Sequence, residues 1–165
     1  MTRIALMIAL ALAIPTAALA SNAPDATTAP KQNIVGTAAS AGNFTTLLTL
    51  AKQAGLVGAL SGPGKLTVFA PTDAAFKKVP KATLAKLGKD RALLRRVLLY
   101  HVVKGSVPAA KVVGLRSAKT LAGPSVRIRV TGKTVRVNTA RVVKADVKAT
   151  NGIIHVVDRV LIPPA

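Results

Sequence analysis

The C-terminal stretch of the chain constrains its fold most strongly. An Asn151-Gly152 dipeptide is typical of a tight turn that requires positive φ angles. It leads into an apolar run rich in Val and Ile over residues 153–162, which Pro163 stops. A short apolar run bounded in this way predicts a strand that is buried on both faces.

Helical signals dominate the first half of the chain. Asn43 is typical of a helix N-cap and Gly55 of the residue that follows a helix, and apolar residues between them recur at helical spacing. Residues 66–70 then predict a strand, after which Thr72 or Asp73 is expected to cap a helical turn.

Two further helices are expected near the midpoint of the chain and just after it. Pro80 suits the start of a helix and Gly88 its end, so residues 81–87 are predicted to form a short one. Asp90 is expected to cap a longer helix. Its inward stripe is predicted to contain Leu94, Val97 and Leu98.

The hydrophobic period changes to two in the second half of the chain. Val126, Ile128 and Val130 alternate with arginines, a turn is predicted at residues 131–133, and two valines flank Arg136. This pattern predicts a hairpin with one apolar and one cationic face. Residues 141–147 supply a further strand, so helices followed by strands indicate an α+β domain.

Three motifs, at residues 66–76, 98–103 and 151–163, resemble in order and spacing the signatures of the fasciclin-like domain family. The resemblance implies an α+β fold, a β-sandwich or wedge with helices packed at one side, and a noncatalytic adhesion or surface-interaction role. In animal members a Tyr-His motif and an Asp-Ile pair are linked to integrin contact, and Tyr100-His101 and Asp146-Val147 match those positions. The matching residues are Thr67, Phe69, Pro71, Thr72, Asp73, Phe76, Tyr100, His101, Asp146, Asn151, Gly152 and His155.

The N-terminus indicates export. Residues 1–20 combine one positive charge, an apolar run too short to span a bilayer, and a small-residue cleavage site, which is typical of a short bacterial signal peptide. Residues 21–32 read as a disordered spacer and residues 33–165 as the fasciclin-like domain. We therefore expect a periplasmic, extracellular or cell-surface protein without a transmembrane anchor.

The charge balance points to anionic partners. The chain has 24 Lys and Arg against five Asp, a net charge of +19, and no cysteine. Such a chain repels its own copies, which favours a monomer, and attracts polyanions. Outside the cytoplasm these are anionic polysaccharide, lipopolysaccharide or other cell-surface polymers. Because aromatic residues are only 2% of the chain, stacking platforms for bases are nearly absent, and no specific nucleic-acid partner is expected.

The sequence offers little for catalysis, metal binding or cofactor binding. His101 and His155 lie in apolar runs without a third ligand at chelating spacing, so both are interpreted as buried, bonded by backbone or by a carboxylate such as Asp73 or Asp146. A hydrolase triad of Ser106, His101 and Asp158 is the weakest alternative, because no nucleophile elbow frames a serine. We predict no catalytic residue, no metal and no cofactor.

Two basic clusters remain as binding candidates. The predicted polyanion site is on and beside the hairpin, where arginines can engage carboxylate, sulfate or phosphate in bidentate fashion. Its members are Arg127, Arg129, Lys133, Arg136, Arg141 and Lys144. A second cluster on the helices comprises Lys77, Lys78, Lys81, Lys86, Lys89, Arg91, Arg95 and Arg96. The alternative function is a periplasmic binder of a small ligand or lipid, which a large apolar pocket would favour.

Overall fold

The computed structural model describes residues 32–164. The predicted signal peptide and residues 21–31 of the predicted spacer lie outside this range. The helices are α1 Ile34–Ala41, α2 Thr45–Gln53, α3 Val57–Ser61, α4 Asp73–Lys77, α5 Lys81–Lys89, α6 Arg91–Tyr100 and α7 Ala109–Val112. The strands are β1 Leu66–Pro71, β2 Val102–Lys104, β3 Ser117–Lys119, β4 Ser125–Thr131, β5 Thr134–Val137, β6 Ala140–Ala149 and β7 Gly152–Val157.

The seven strands form one sheet in the order β2-β1-β7-β6-β5-β4-β3. All neighbouring strands are antiparallel except β1 and β7, which run parallel. The two ends of the sheet approach each other through a single bridge between Val103 and Thr120, so the sheet nearly closes into a barrel. The predicted α+β class is confirmed.

The central strands β1 and β7 separate two hydrophobic cores because their successive side chains point to opposite faces. Val68 and Ile154 belong to the larger core, which also contains residues of α1, α2 and α6. Phe69 and Val157 belong to the smaller core inside the curved sheet. Every residue of β7 is buried, which confirms the predicted two-sided burial.

The last strand is shorter than predicted. Strand β7 ends at Val157, whereas the sequence indicated a strand to residue 162. Beyond Asp158, whose amide donates to the carbonyl of Arg141, the chain leaves the sheet. The Leu161 amide donates to the ring of His101, so the apolar residues after Val157 pack as a covering segment.

The turn before β7 also differs from the prediction. Ala149 pairs with Gly152, so the two turn residues are Thr150 and Asn151, and Gly152 is the first residue of the strand. A Cβ on Gly152 would lie 1.8 Å from the carbonyl oxygen of Leu66. Glycine is therefore required here by the close approach of β1, and positive φ at the centre of a turn is not the reason.

Two helix boundaries were predicted wrongly. Helix α2 begins at Thr45 without a cap from Asn43; the Asp73 carboxylate instead accepts the amides of Thr45 and Thr46 at 3.3 and 2.8 Å. Gly88 lies inside α5, which continues to Lys89, because Gly88 does not adopt the left-handed conformation that ends a helix and the Asp90 amide still donates to the Lys86 carbonyl.

Candidate polyanion-binding surface

The predicted hairpin is present as β4 and β5. Val126, Ile128 and Val137 are buried in its base, while Arg127, Arg129 and the other outward residues are exposed. Val130, near the turn, is also exposed because the tip of the hairpin extends past the smaller core. Lys133 lies in this tip and is exposed.

Three arginines lie side by side across three neighbouring strands. Arg129 of β4 is directly opposite Arg136 of β5, and Arg136 is directly opposite Arg141 of β6. Directly opposed residues share a face of the sheet and have Cβ atoms about 5 Å apart. Val137 and Ala140, the next opposed pair, are buried in the smaller core, so the arginines project from the other face. We call Arg129, Arg136 and Arg141 the arginine row.

Two more predicted cations extend this row. Arg127 lies two positions before Arg129 on β4, and Lys144 is opposite Val156, whose side chain belongs to the larger core. A register shift between Val142 and Lys144 brings Lys144 onto the same face as Arg141. We call the arginine row with Arg127 and Lys144 the basic strip. It contains five of the six residues predicted for the polyanion site, and Lys133 lies at its end in the hairpin turn.

Lys144 also lines a cavity at the edge of the strip. The cavity has a volume of about 280 Å³ and lies between the α1–α2 region and strands β6 and β7. Its walls include Phe44, Val147 and Ile154. Lys144 therefore lies at the boundary between the basic strip and the helix-covered part of the same sheet.

The carboxylates within residues 32–164 are engaged by backbone amides. Asp73 accepts from the N-terminus of α2, Asp90 from Ala92 and Leu93, Asp146 from Ala109, and Asp158 from Arg141. The amides of Thr46 and Thr45 hold the pKa of Asp73 below its usual value, against a smaller opposing effect of desolvation. The one ion pair in this part of the chain joins Lys78 to Asp158 at 3.9 Å, so no side chain of the arginine row forms an ion pair, although the Asp158 carboxylate accepts the backbone amide of Arg141.

His101 is a buried structural residue. Its Nδ1 lies 2.7 Å from the Val97 carbonyl and its Nε2 accepts the Leu161 amide at 2.9 Å. These partners require a neutral ring with the proton on Nδ1. Burial lowers the pKa of His101 to about 4, although the bond to Val97 opposes the shift. Of the two kinds of partner expected from the sequence, backbone groups or a carboxylate, His101 has backbone groups only.

His155 has an equivalent role in the smaller core. Its Nε2 lies 2.8 Å from the Val107 carbonyl, and its Nδ1 receives the Asp146 amide at 3.4 Å. The ring stacks on Phe69 with centroids 5.6 Å apart. The backbone of Asp146, which adopts φ 56° beside the bulge in β6, is thereby held against β7.

The remaining family-motif residues also hold the fold together. Thr67 is buried and links Gly105 to Val107 through its hydroxyl. Thr72 caps α4, while Pro71 and Phe76 are buried. Tyr100 is buried with its hydroxyl accepting from Asn138. The Tyr100-His101 pair therefore presents no side chain to a partner on the surface of this structure.

Asn151 is a structural residue whose role the sequence did not reveal. Its Oδ1 accepts the Ile34 amide at 2.8 Å, and its Nδ2 donates to the carbonyls of Leu60 and Gly62. One buried amide thus fastens the start of α1 and the end of α3 to the β6–β7 turn. These partners lie about ninety or more positions away in sequence, and no local pattern signals them.

The structure does not assemble the hydrolase triad. His101 is bonded to Val97 and Leu161, so it is not oriented by Asp158 or directed at Ser106. No group of three metal-ligating side chains occurs within residues 32–164. The cavity inside the larger core has a volume of about 30 Å³, which is room for little more than one water molecule. In the same range, no helix is both long enough and apolar enough to cross a bilayer.

Comparisons with known proteins agree with the motif resemblance. The fasciclin domain family model matches residues 42–163. Protein sll1483 of Synechocystis sp. is 42% identical over 166 residues, covering 93% of this chain and 91% of the relative. The immunogenic protein MPT70 of Mycobacterium tuberculosis is 41% identical over 92% of this chain and 70% of its own length.

A cell surface glycolipoprotein of Mycobacterium bovis, MPB83, is 37% identical, and the match covers 81% of this chain and 62% of that protein. Among solved structures, a FAS1 domain pair from the insect cell adhesion molecule Fasciclin I superposes with a TM-score of 0.60 at 21% identity. That match covers 75% of this chain and 47% of the pair, as expected for one domain of two.

Proposed function

We propose that this chain, which belongs to the fasciclin domain family, is an exported, noncatalytic surface-interaction domain that binds anionic envelope or matrix polymers. A cell surface glycolipoprotein is among the relatives of the chain, which supports a role at a surface. The binding site is the basic strip. Most motif residues that carry the family resemblance are buried, and the carboxylates of Asp73 and the exposed Asp146 accept backbone amides, so the exposed cations are the main charged groups available to a partner.

The arginine row is the observation that carries this proposal. Like charges directly opposite each other in a sheet destabilise it, and the row contains two such pairs with no carboxylate partner in residues 32–164. A bound polyanion would relieve this repulsion. Guanidinium groups also bind carboxylate and sulfate through two parallel hydrogen bonds, which a lysine cannot do.

The dimensions of the row favour a linear polymer over a single small anion. Neighbouring strands are about 4.8 Å apart, so three arginines present positive charge at regular steps over about 10 Å. Arg127 and Lys144 extend the row along the outer two of its three strands, β4 and β6. The polymer class that fits is an acidic polysaccharide, since no aromatic side chain in the strip offers a stacking surface for bases.

Affinity measurements with a polyuronate as the probe test this proposal. The R129Q/R136Q/R141Q variant should lose about a hundredfold or more in affinity, since each charge-assisted contact contributes about 1–2 kcal/mol. The matched control is K81Q/K86Q/K89Q, which removes the same charge from exposed positions of α5. The control should lose only a small part of the affinity, because screening limits distant charges.

A second variant separates geometry from charge. R129K/R136K/R141K keeps every charge but removes the bidentate geometry, so it should bind more weakly than the native protein and more tightly than the glutamine variant. Equal losses in the α5 control and the row variant would show that only net charge matters. Binding that does not weaken with salt would refute the electrostatic mechanism altogether.

A further inference from the structure

The two end strands of the sheet meet at an incompletely closed seam. Beyond the bridge between Val103 and Thr120, the seam is held by the Leu121 amide, which donates to the Val102 carbonyl at 2.8 Å. An open cavity of about 560 Å³ lies against this seam. We call it the seam cavity; its lining includes the buried Val103 and the half-buried Val107 and Ala118.

Exposed aliphatic side chains line this cavity or lie near its lining residues in the sequence. Val113, Leu115 and Leu121 are 50%, 39% and 40% exposed, and Leu115 and Leu121 line the cavity itself. Within residues 32–164 these are three of the six large apolar side chains with high exposure, and they fall within nine positions. An apolar cluster of this kind on a soluble surface marks an interaction site more often than scattered single residues do.

Cations surround the cluster. Lys104 and Lys119 line the seam cavity, and the exposed Lys111 and Arg116 flank Val113 and Leu115 in the chain. None of the residues that line the cavity is acidic. The surface therefore combines apolar side chains with a basic rim, whereas the basic strip on β4–β6 is mainly cationic.

This combination identifies the chemistry of the partner. An acidic polysaccharide would satisfy the lysines but would leave Leu115 and Leu121 against polar groups. A second copy of the chain would bring a net charge of +19 and the same basic rim. An anionic lipid layer supplies both acyl chains and phosphate headgroups, as it does for interfacial elements that are apolar on one side and basic on the other.

We propose that the seam cavity and its rim bind the surface of an anionic lipid layer. Leu115 and Leu121 enter the boundary between headgroups and acyl chains, and Lys104 and Lys119 contact lipid phosphates. This site adjoins the Arg127 end of the basic strip, because Lys119 lies diagonally opposite Arg127 on the same face of the sheet. No member of the arginine row lines the seam cavity, so the row can hold a polymer while the cavity faces a membrane.

Vesicle co-sedimentation tests the inference with the full exported chain. The native protein should bind vesicles of mixed phosphatidylglycerol and phosphatidylcholine. It should bind vesicles of phosphatidylcholine alone much more weakly. L115S/L121S should lose about tenfold or more in vesicle affinity, because two exposed leucines no longer leave water on binding. The I162S variant, which alters an apolar residue that is 51% exposed and lines a different cavity, should bind as the native protein does.

Two further variants decide which surface contacts the vesicles. R129Q/R136Q/R141Q should retain most vesicle binding although it loses the polyuronate, and L115S/L121S should retain the polyuronate. Vesicle binding that survives L115S/L121S but is lost in the arginine variant would overturn the inference and assign the lipid to the basic strip. Absence of binding to the mixed vesicles at low salt would also overturn it.

Discussion

Replacing Arg136 with Gln should stabilise the free protein while weakening its binding to acidic polymers. Arg136 is the middle member of the arginine row and has a cation directly opposite on each side, Arg129 and Arg141. Each opposed like-charge pair costs about 0.2–1 kcal/mol, which agrees with a repulsion of about 0.8 kcal/mol for two charges 5 Å apart in water. Removing both pairs should raise the free energy of unfolding by about 0.4–2 kcal/mol.

Thermal and urea unfolding at low salt measure this gain. For a domain of this size, a change of 1 kcal/mol corresponds to about 3–5 °C in Tm. At about 1 M salt, where the Debye length falls to about 3 Å, the difference between variant and native protein should largely disappear. Lys148→Gln is the matched control, because Lys148 is an exposed cation on β6 that lies opposite Ile153.

The two substitutions remove the same charge from the same sheet, so only the opposed arginines distinguish them. A gain for Arg136→Gln that is no larger than that for Lys148→Gln would refute the assigned repulsion within the row. A loss of stability in Arg136→Gln would show that its aliphatic stem packs on neighbouring strands more strongly than its charge repels them.

Other predictions concern the buried groups. Asn151→Ala should lower the free energy of unfolding by about 2–4 kcal/mol and speed amide exchange in α1, because three main-chain groups lose their partner. Gly152→Ala should cost at least about 3 kcal/mol in urea unfolding, since a Cβ would collide with the Leu66 carbonyl, whereas Gly88→Ala, with open space around it, should stabilise α5. As the pH falls from 6.5 to about 4, stability should drop by about 3 kcal/mol, because the unfolded chain protonates His101 while the folded protein, with its lowered pKa, does not. A flat profile over that window would show that the ring is accessible to protons.

The sequence predicted elements whose determinants are local. Asp90 caps α6, as expected from its position before an apolar stripe, and Gly55 adopts the left-handed conformation that follows α2. The alternation of apolar and charged residues at 126–130 predicted the hairpin correctly, because a strand with one buried face has apolar residues at every second position. The alternation also predicted that Arg127, Arg129 and Arg136 share a face. Arg141 and Lys144 join them through the pairing of β5 with β6 and the bulge in β6, neither of which the sequence showed.

Elements fixed by distant contacts were missed or misplaced. The cap of α2 comes from Asp73, on a helix that follows β1, so Asn43 was the best local candidate and was wrong. Helix α1 was not predicted, although Asn33 caps it and Ile34 and Ala38 recur at helical spacing. Strands β2 and β3 have three residues each, which is too short for a periodic signal.

The carboxylates explain why the charge excess is available for binding. In residues 32–164 each of them accepts backbone amides at helix starts or at the sheet, and none forms an ion pair with a guanidinium group of the arginine row. The fold therefore depends little on ion pairs, and the cations of the strip act mainly on one another. Added salt should in consequence have opposite effects on the two properties of the protein. It should weaken polymer binding, because it screens attraction, and leave stability unchanged or raised, because it screens repulsion within the row. Parallel losses of binding and stability with rising salt would show instead that the cations stabilise the fold.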